Sequence, residues 1–206
     1  MAKEAVRLER LWGGRFGDAY TLRNDPDRRR SVFWKALLAE MKPKNVLEVG
    51  CNRGGNLRWI AAKLPPKDVY GADINESALA DLKKRLPKVN AVWAQARALP
   101  FRDRFFDLVF TAGVLIHQPD TTLRSVMSEV VRVSRRRVLC LEYFSPRTEE
   151  ILYRGHKGAL FKRDYGRLYQ EWFPELSLKK KCFLGKNAGW DDVTCWFFEK
   201  KIKGQK

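Results

Sequence analysis

Acidic residues are scarce in this chain relative to basic ones. There are 24 Asp and Glu against 41 Lys and Arg, a formal net charge of +17 over 206 residues. Such an excess favours anionic partners: nucleic acid, nucleotide sugars or acidic sugars. Its basic clusters are Arg28–Arg30, Arg135–Arg137, Lys179–Lys181 and Lys200–Lys206. None is long enough to be a dedicated basic arm, so a merely solvated basic surface stays open beside a polyanion-binding one. Histidine is nearly absent, with only His117 and His156. Without clustered ligands no metal is expected. The four cysteines (Cys51, Cys140, Cys182, Cys195) form no CxxC pair. That pattern argues against a disulfide framework and for buried free thiols in a reducing cytoplasm. No apolar run approaches the ~20 residues of a membrane span, and the N-terminus has no signal-like apolar stretch. The expectation is a cytoplasmic protein without membrane contact. Repeats, low-complexity tracts and linkers are also lacking, and a 45% hydrophobic content suits one core.

What is present begins at Val46-Leu-Glu48-Val-Gly50-Cys51-Asn52-Arg-Gly54-Gly-Asn56. A short apolar run passes into a glycine-rich turn, and an amphipathic segment from Leu57 follows at once. This is a strand, a tight turn and a helix start, the first unit of a doubly wound α/β domain. Asn52 stands where the dinucleotide fingerprint needs its middle glycine, so the turn is not built for a pyrophosphate. Asp68-Val-Tyr-Gly-Ala-Asp73-Ile74 is a second strand ending in an acid about two dozen residues beyond the turn. An acid there accepts hydrogen bonds from ribose hydroxyls. Asn75 is the better helix cap for the segment that follows. Ile74 is placed to pack on an adenine face, and Gln95-Ala96 precedes the strand that ends near Thr111.

The alternation predicts helix 32–41, strand 46–50, helix 54–64, strand 69–73, helix 76–86, strand 91–94, strand 106–111, helix 121–133 and strand 137–143. Two closing strands follow at 176–184 and 193–200. The expected architecture is a Rossmann-like, mostly parallel seven-stranded sheet with helices on both faces and an antiparallel C-terminal strand. Residues 1–30 read as a cap or lid, and 31–206 as the main domain. Within it, 145–174 reads as an acceptor-binding insertion: a charged, aromatic loop with one helix over 162–172.

Three further stretches carry candidate chemistry. His117, in Gly113-Val-Leu-Ile-His117, follows the fourth strand; it suits a general base, or equally a side chain that packs the next helix start. Glu142 and Tyr143 end the fifth strand and point to opposite faces, so that one of them can meet an acceptor. Tyr153-Arg154-Gly155-His156-Lys157-Gly158 packs an aromatic, three basic groups and two glycines together. Arg154 and Lys157 could hold a carboxylate or phosphate there, with His156 as an alternative base. Otherwise the segment is a polar surface turn. Near the N-terminus, Trp12, Phe16 and Tyr20 recur at helical spacing. They form a stripe docking the cap, or a lid that closes Tyr20 and Arg23 over a ligand.

Glu48 with Gly50 and Gly54 resembles motif I of the class I S-adenosylmethionine (SAM) methyltransferases. The resemblance implies that Glu48, Gly50, Cys51, Asn52, Gly54, Asp73, Ile74, Gln95, Ala96 and Thr111 surround SAM, which becomes S-adenosylhomocysteine. Gln95 stands where many members carry Asp. More narrowly, Trp12, Phe16-Gly17-Asp18, Tyr20, Arg23-Asn24, Glu48 to Gly54, Gly113 to His117, Glu142-Tyr143 and Tyr153 to Asp164 resemble the methylases associated with pseudaminic acid biosynthesis. That implies an acidic sugar or nucleotide sugar as methyl acceptor, held by Tyr20, Arg23, Glu142, Tyr153, Arg154 and Lys157, with His117, His156 or Tyr143 near the chemistry. The net charge leaves a nucleic-acid methyltransferase, or a non-catalytic nucleic-acid-binding module of the same fold, as alternatives. Strand four lacks the Asn/Asp-Pro-Pro-aromatic turn used on exocyclic amines, and there is no Pro-Cys nucleophile for C5 methylation.

Overall fold

The computed structural model describes residues 2–25 and 27–201. The basic stretch at 202–206 lies outside the described residues, as do positions 1 and 26 of the cap. Two helices, α1 (Ala2–Gly13) and α2 (Arg15–Arg23), precede α3 (Arg30–Met41). There follow β1 (Val46–Val49), α4 (Leu57–Ala61), β2 (Val69–Asp73), α5 (Glu76–Arg85), β3 (Asn90–Trp93) and β4 (Phe106–Ala112). Then come α6 (Asp120–Val133), β5 (Ser134–Glu142), β6 (Glu149–Tyr153), β7 (His156–Lys162), α7 (Tyr165–Trp172), β8 (Leu176–Leu184) and β9 (Val193–Lys200).

Seven strands make one sheet in the order β3-β2-β1-β4-β5-β9-β8. Strands β1 to β5 pair in parallel, and β9 runs antiparallel between β5 and β8. The order reverses at β1 and β4, where an open α/β sheet leaves a crevice at its carboxyl edge. Both faces are covered. On one, Leu47, Val109, Met127, Val130, Tyr165 and Trp196 form a core beneath α6 and α7. On the other, Trp34, Leu38, Val46, Ile60, Leu82 and Phe110 form a second core beneath α3, α4 and α5. Neighbouring residues of β1 and β4 serve opposite cores, which is why these strands are buried almost end to end, Glu48 and Asp107 included.

The segment 145–174 departs from expectation. It contains a two-stranded hairpin, β6–β7, and α7 begins at Tyr165, because Lys162 ends β7 and Asp164 caps the helix by accepting from the Arg167 N–H at 3.0 Å. The hairpin turn is Arg154-Gly155, with φ of 48° and 83°. Two consecutive positive φ values make a type I′ turn, whose twist matches that of the flanking strands. No helix among the described residues is long and apolar enough to cross a membrane.

Candidate active site

The chain leaves β1 at Val49 and reverses through three left-handed residues, Gly50, Asn52 and Gly54, with φ of 73°, 47° and 76°. Glycine is needed at position 50 twice over, since a Cβ there would also lie 2.3 Å from Val114 Cγ2. The Gly50 and Cys51 N–H groups both donate to the Ala72 carbonyl, at 2.8 and 3.1 Å, hooking the turn onto β2. Asp73 finishes the lock: its carboxylate accepts from the Asn52 N–H at 2.7 Å and the Asn75 N–H at 2.9 Å. Burial raises its pKa, and these N–H groups pull it back.

Glu48 is buried at the same end. One oxygen accepts from the Asn56 amide at 2.7 Å; the other, Oε2, is buried with no partner. Burial pushes this carboxyl up to about 8. Arg30 lines the same cavity, its Nε donating to the Gly189 carbonyl at 2.7 Å and its guanidinium 4.4 Å over Trp190. Its terminal nitrogens have no hydrogen-bond partner among the described residues, and burial lowers its pKa against the pull of Tyr20 and Glu48. A carboxyl with one unpartnered oxygen and a guanidinium with no protein partner among the described residues for its terminal nitrogens, facing one cavity, suit a zwitterion.

The cap roofs this cavity. Asn75 Oδ1 accepts from the Ala78 N–H at 2.7 Å and so caps α5, while its Nδ2 donates to the Trp12 carbonyl at 3.1 Å and to Asp18 at 2.9 Å. A Cβ at Gly17 would sit 1.8 Å from that Trp12 carbonyl oxygen, so the Phe16-Gly17-Asp18 run is an adaptation to close approach. Glu9 of α1 takes Arg97 at 2.6 Å, a second tie across the cavity rim. The Trp12 ring centroid lies 4.2 Å from that of His117 and 5.3 Å from that of Tyr20. Tyr20 lines the cavity, and burial first, then neighbouring Tyr153, pushes its phenol up to about 12.

His117 ends a short turn of 3-10 helix, Leu115–His117. Its Nδ1 lies 2.6 Å from the Ala159 carbonyl of the hairpin. A carbonyl only accepts, so this contact assigns the proton to Nδ1 and the lone pair to Nε2. That is the tautomer of a proton acceptor, although burial pushes its pKa down to about 4. Tyr153 and His156, from the hairpin, close an aromatic wall against Trp12 and Phe16.

Of the residues singled out in the sequence, Tyr20, Glu48, Gly50, Cys51, Asn52, Asp73, Ile74, Ala96 and His117 line this one cavity. So do Trp12, Gly17, Asn24, Asn75 and Gly113, whereas Arg23, Gly54, Gln95, Thr111, Glu142, Tyr143, Tyr153, Arg154, His156 and Lys157 do not. Gly54 closes the turn, its N–H donating to the Cys51 carbonyl, and packs on Leu82. Gln95 is set in a narrow bridge with Ala98, and its neighbours Ala94 and Ala96 line the cavity instead. Thr111 is fully buried inside the sheet opposite Cys140. Glu142 lies beneath the cavity rather than in its lining. Fully buried, it accepts from the Val114 and Ile116 N–H groups at 3.1 and 3.3 Å and holds the loop that carries His117; burial lifts its carboxyl to about 7. The Tyr143 hydroxyl donates to Asp191 and is committed to the β8–β9 loop. Arg23 lies over Phe16 on the outside of the cap. Arg154 is an exposed turn residue without hydrogen bond or ion pair among the described residues, and Lys157 is exposed beside it, its carbonyl taken by Arg7. Tyr153 and His156 stand behind Trp12 and Phe16. Arg30 and Asn56, which also line the cavity, were not assigned to the site from the sequence. Arg30 had no local motif to mark it, whereas Asn56 stood in the glycine turn itself. No group of three His, Cys, Asp or Glu gathers among the described residues to hold a metal.

Residues 46–137 match the family model described as a methyltransferase domain. The chain is 35% identical over 102 residues to a phthiotriol/phenolphthiotriol dimycocerosates methyltransferase of Mycobacterium tuberculosis, covering 48% of this chain and 37% of that protein. It is 31% identical over 115 residues to a demethylmenaquinone methyltransferase of Thermotoga maritima, covering 55% and 49%. The match thus spans less than half the length of either relative. Among solved structures, a Burkholderia thailandensis 1,6-didemethyltoxoflavin-N1-methyltransferase with bound S-adenosylhomocysteine superposes with a TM-score of 0.75 at 17% identity, over 98% of this chain and 90% of that one. Magnesium protoporphyrin IX methyltransferase from Synechocystis, also with bound S-adenosylhomocysteine, gives 0.68 at 14%, over 95% and 99%. The architecture is therefore the class I methyltransferase fold.

Proposed function

We propose that the chain is a SAM-dependent methyltransferase. The observation that carries this reading is the charge layout of the cavity. Glu48 with its orphan oxygen and Arg30 with its free terminal nitrogens suit the ammonium and carboxylate of an amino-acid end. Asp73, at the tip of β2, suits a ribose. Bound there, SAM would supply an electrophilic methyl group and its own leaving group. The chain's part is to orient and to exclude water. Asp73 fixes the glycine turn, Trp12 and α1 roof the cavity, and Glu142 holds the loop that presents His117. His117 Nε2 is set to take a proton from an alcohol acceptor, while an amine acceptor already carries its own lone pair.

For the acceptor we favour an O or N atom of an acidic sugar or nucleotide sugar. The net charge of +17 and the resemblance of Trp12–Asn24 and Tyr153–Asp164 to the pseudaminic-acid-associated methylases support it. The named relatives act, as they are named, on phthiotriol/phenolphthiotriol dimycocerosates and on demethylmenaquinone. A nucleic-acid acceptor is the second reading; it rests on Lys179, Lys180 and Lys181, exposed on edge strand β8 without ion-pair partners among the described residues. Calorimetric titration with SAM and S-adenosylhomocysteine tests the first step: binding with micromolar affinity is expected, and none would overturn the enzyme reading. An acceptor screen with labelled SAM then separates the chemistries. Label transferred to nucleic acid with a steep salt dependence, and none to sugars, would replace the favoured acceptor.

A further inference from the structure

Cys182 of β8 and Cys195 of β9 stand directly opposite each other across an antiparallel pair. In either class of antiparallel pair the Cα separation is about 4.5 or 5.5 Å, and both fall within the span a disulfide bridges. The two side chains share a face of the sheet, both packing toward the core that holds Trp190 and Val193. Their exposure differs: Cys195 is buried, whereas Cys182 is half-exposed on the edge strand. Each thiol perturbs the other. Cys182 is held below the usual thiol range by its contact with Cys195 and by Lys180, and Cys195 is pushed up by the same contact and by burial. Cys51 and Cys140 are buried, with burial raising both, and neither faces another cysteine across a strand pair.

We propose that Cys182 and Cys195 form an oxidisable thiol pair, a modification site that peroxide converts into a cross-strand disulfide. An accessible, acidic thiol beside a shielded second thiol is the arrangement of an attacking and a resolving cysteine. The Cys182 thiolate attacks one peroxide oxygen; the O–O bond breaks, hydroxide leaves and is protonated to water, and Cys182 becomes a sulfenic acid. The Cys195 sulfur then attacks the Cys182 sulfur, the S–O bond breaks, and hydroxide leaves with the Cys195 proton as a second water. Overall two thiols lose two electrons and one peroxide is reduced. The bridge closes the base of the loop that carries Gly189 and Trp190, the two partners of Arg30. The chemistry itself does not depend on the methyltransferase reading.

The test is hydrogen peroxide treatment of the folded full chain, thiol blocking, and peptide mapping by mass spectrometry without reduction. The expected product is a Cys182–Cys195 linked peptide pair, 2 Da lighter than the two thiols, which dithiothreitol reverses while Cys51 and Cys140 stay as thiols. Cys195→Ser should leave a Cys182 sulfenic acid that dimedone traps; Cys182→Ser, at the more exposed position, should leave Cys195 unoxidised over the same time. A wild type in which Cys182 stays reduced overturns the proposal. So does one that advances to sulfinic acid with Cys195 still a thiol, or that links only between molecules.

Discussion

The two sides of the cavity were written into the chain in different ways. On the cofactor side, Glu48, Gly50, Asn52 and Asp73 lie within two neighbouring strand ends, and all four line the cavity. On the side assigned to the acceptor, Glu142, Tyr143, Arg154 and Lys157 all point their chemistry elsewhere: into the His117 loop, to Asp191, or to solvent. The difference lies in range. A strand–turn–helix unit fixes its own geometry through bonds such as Asn52 N–H to Asp73, so residue types predict placement. The far side is assembled from α1, α2, the β6–β7 hairpin and the β8–β9 loop, where placement depends on packing between distant segments.

The sharpest way to break this comparison is at Asp73. Asp73→Ala removes the acceptor for two backbone N–H groups and for the ribose; SAM affinity measured by calorimetry should fall by about 100-fold, on the order of two charge-assisted hydrogen bonds. Retained binding would mean that the turn is held from elsewhere. Glu48→Gln should weaken SAM about tenfold by removing the ammonium's counter-charge. The same change should stabilise the empty protein in alkali. The folded-state values of Glu48 and Glu142, about 8 and 7, lie above those of unfolded carboxyls. Their contribution is full below the ordinary carboxyl range and is lost as pH rises through 7 and 8. The melting temperature of the wild type should therefore drop between pH 6 and 9, and Glu48→Gln should recover about 5 °C of that drop at pH 9. An unchanged alkaline melting curve would show that Glu48 is not buried as a neutral acid.

His117 sharpens the comparison from the other direction. Its folded-state value near 4 lies below the ordinary imidazole value, so the stability it gives as a neutral group is full above about 6.5 and is lost as pH falls through 4. His117→Gln should flatten the acid limb of the melting profile. If His117 is the base, the variant should also lower the turnover of an alcohol acceptor by about 100-fold while leaving SAM affinity within about twofold. The smallest effect belongs to the hairpin. Arg154→Gly should relieve a left-handed non-glycine residue and gain at most about 1 kcal/mol, with no change in acceptor KM. A tenfold rise in KM would restore Arg154 to the acceptor site.

The sheet was legible because buried parallel strands and amphipathic helices alternate with clear punctuation, down to the Asn75 cap. The hairpin was not. Its strands carry Glu149, Glu150, His156, Lys157 and Lys162, and its Arg-Gly turn resembles a loop until both φ values are seen to be positive. Arg30 was hidden for a different reason. In the sequence it is the last of three adjacent arginines, and only the fold brings it against Trp190 and the Gly189 carbonyl. Arg154 shows the converse: a dense, basic motif can be dictated by the twist of a hairpin and the seating of His117 Nδ1 on Ala159.

Asn75 serves two elements at once. Its carbonyl oxygen belongs to α5, and its amide nitrogen belongs to the roof. Because separate atoms serve the two tasks, losing the roof's two bonds would leave the helix cap in place. The roof has further ties of its own, the Glu9–Arg97 pair and the packing of Trp12 on His117, so the cavity rim is held at several independent points.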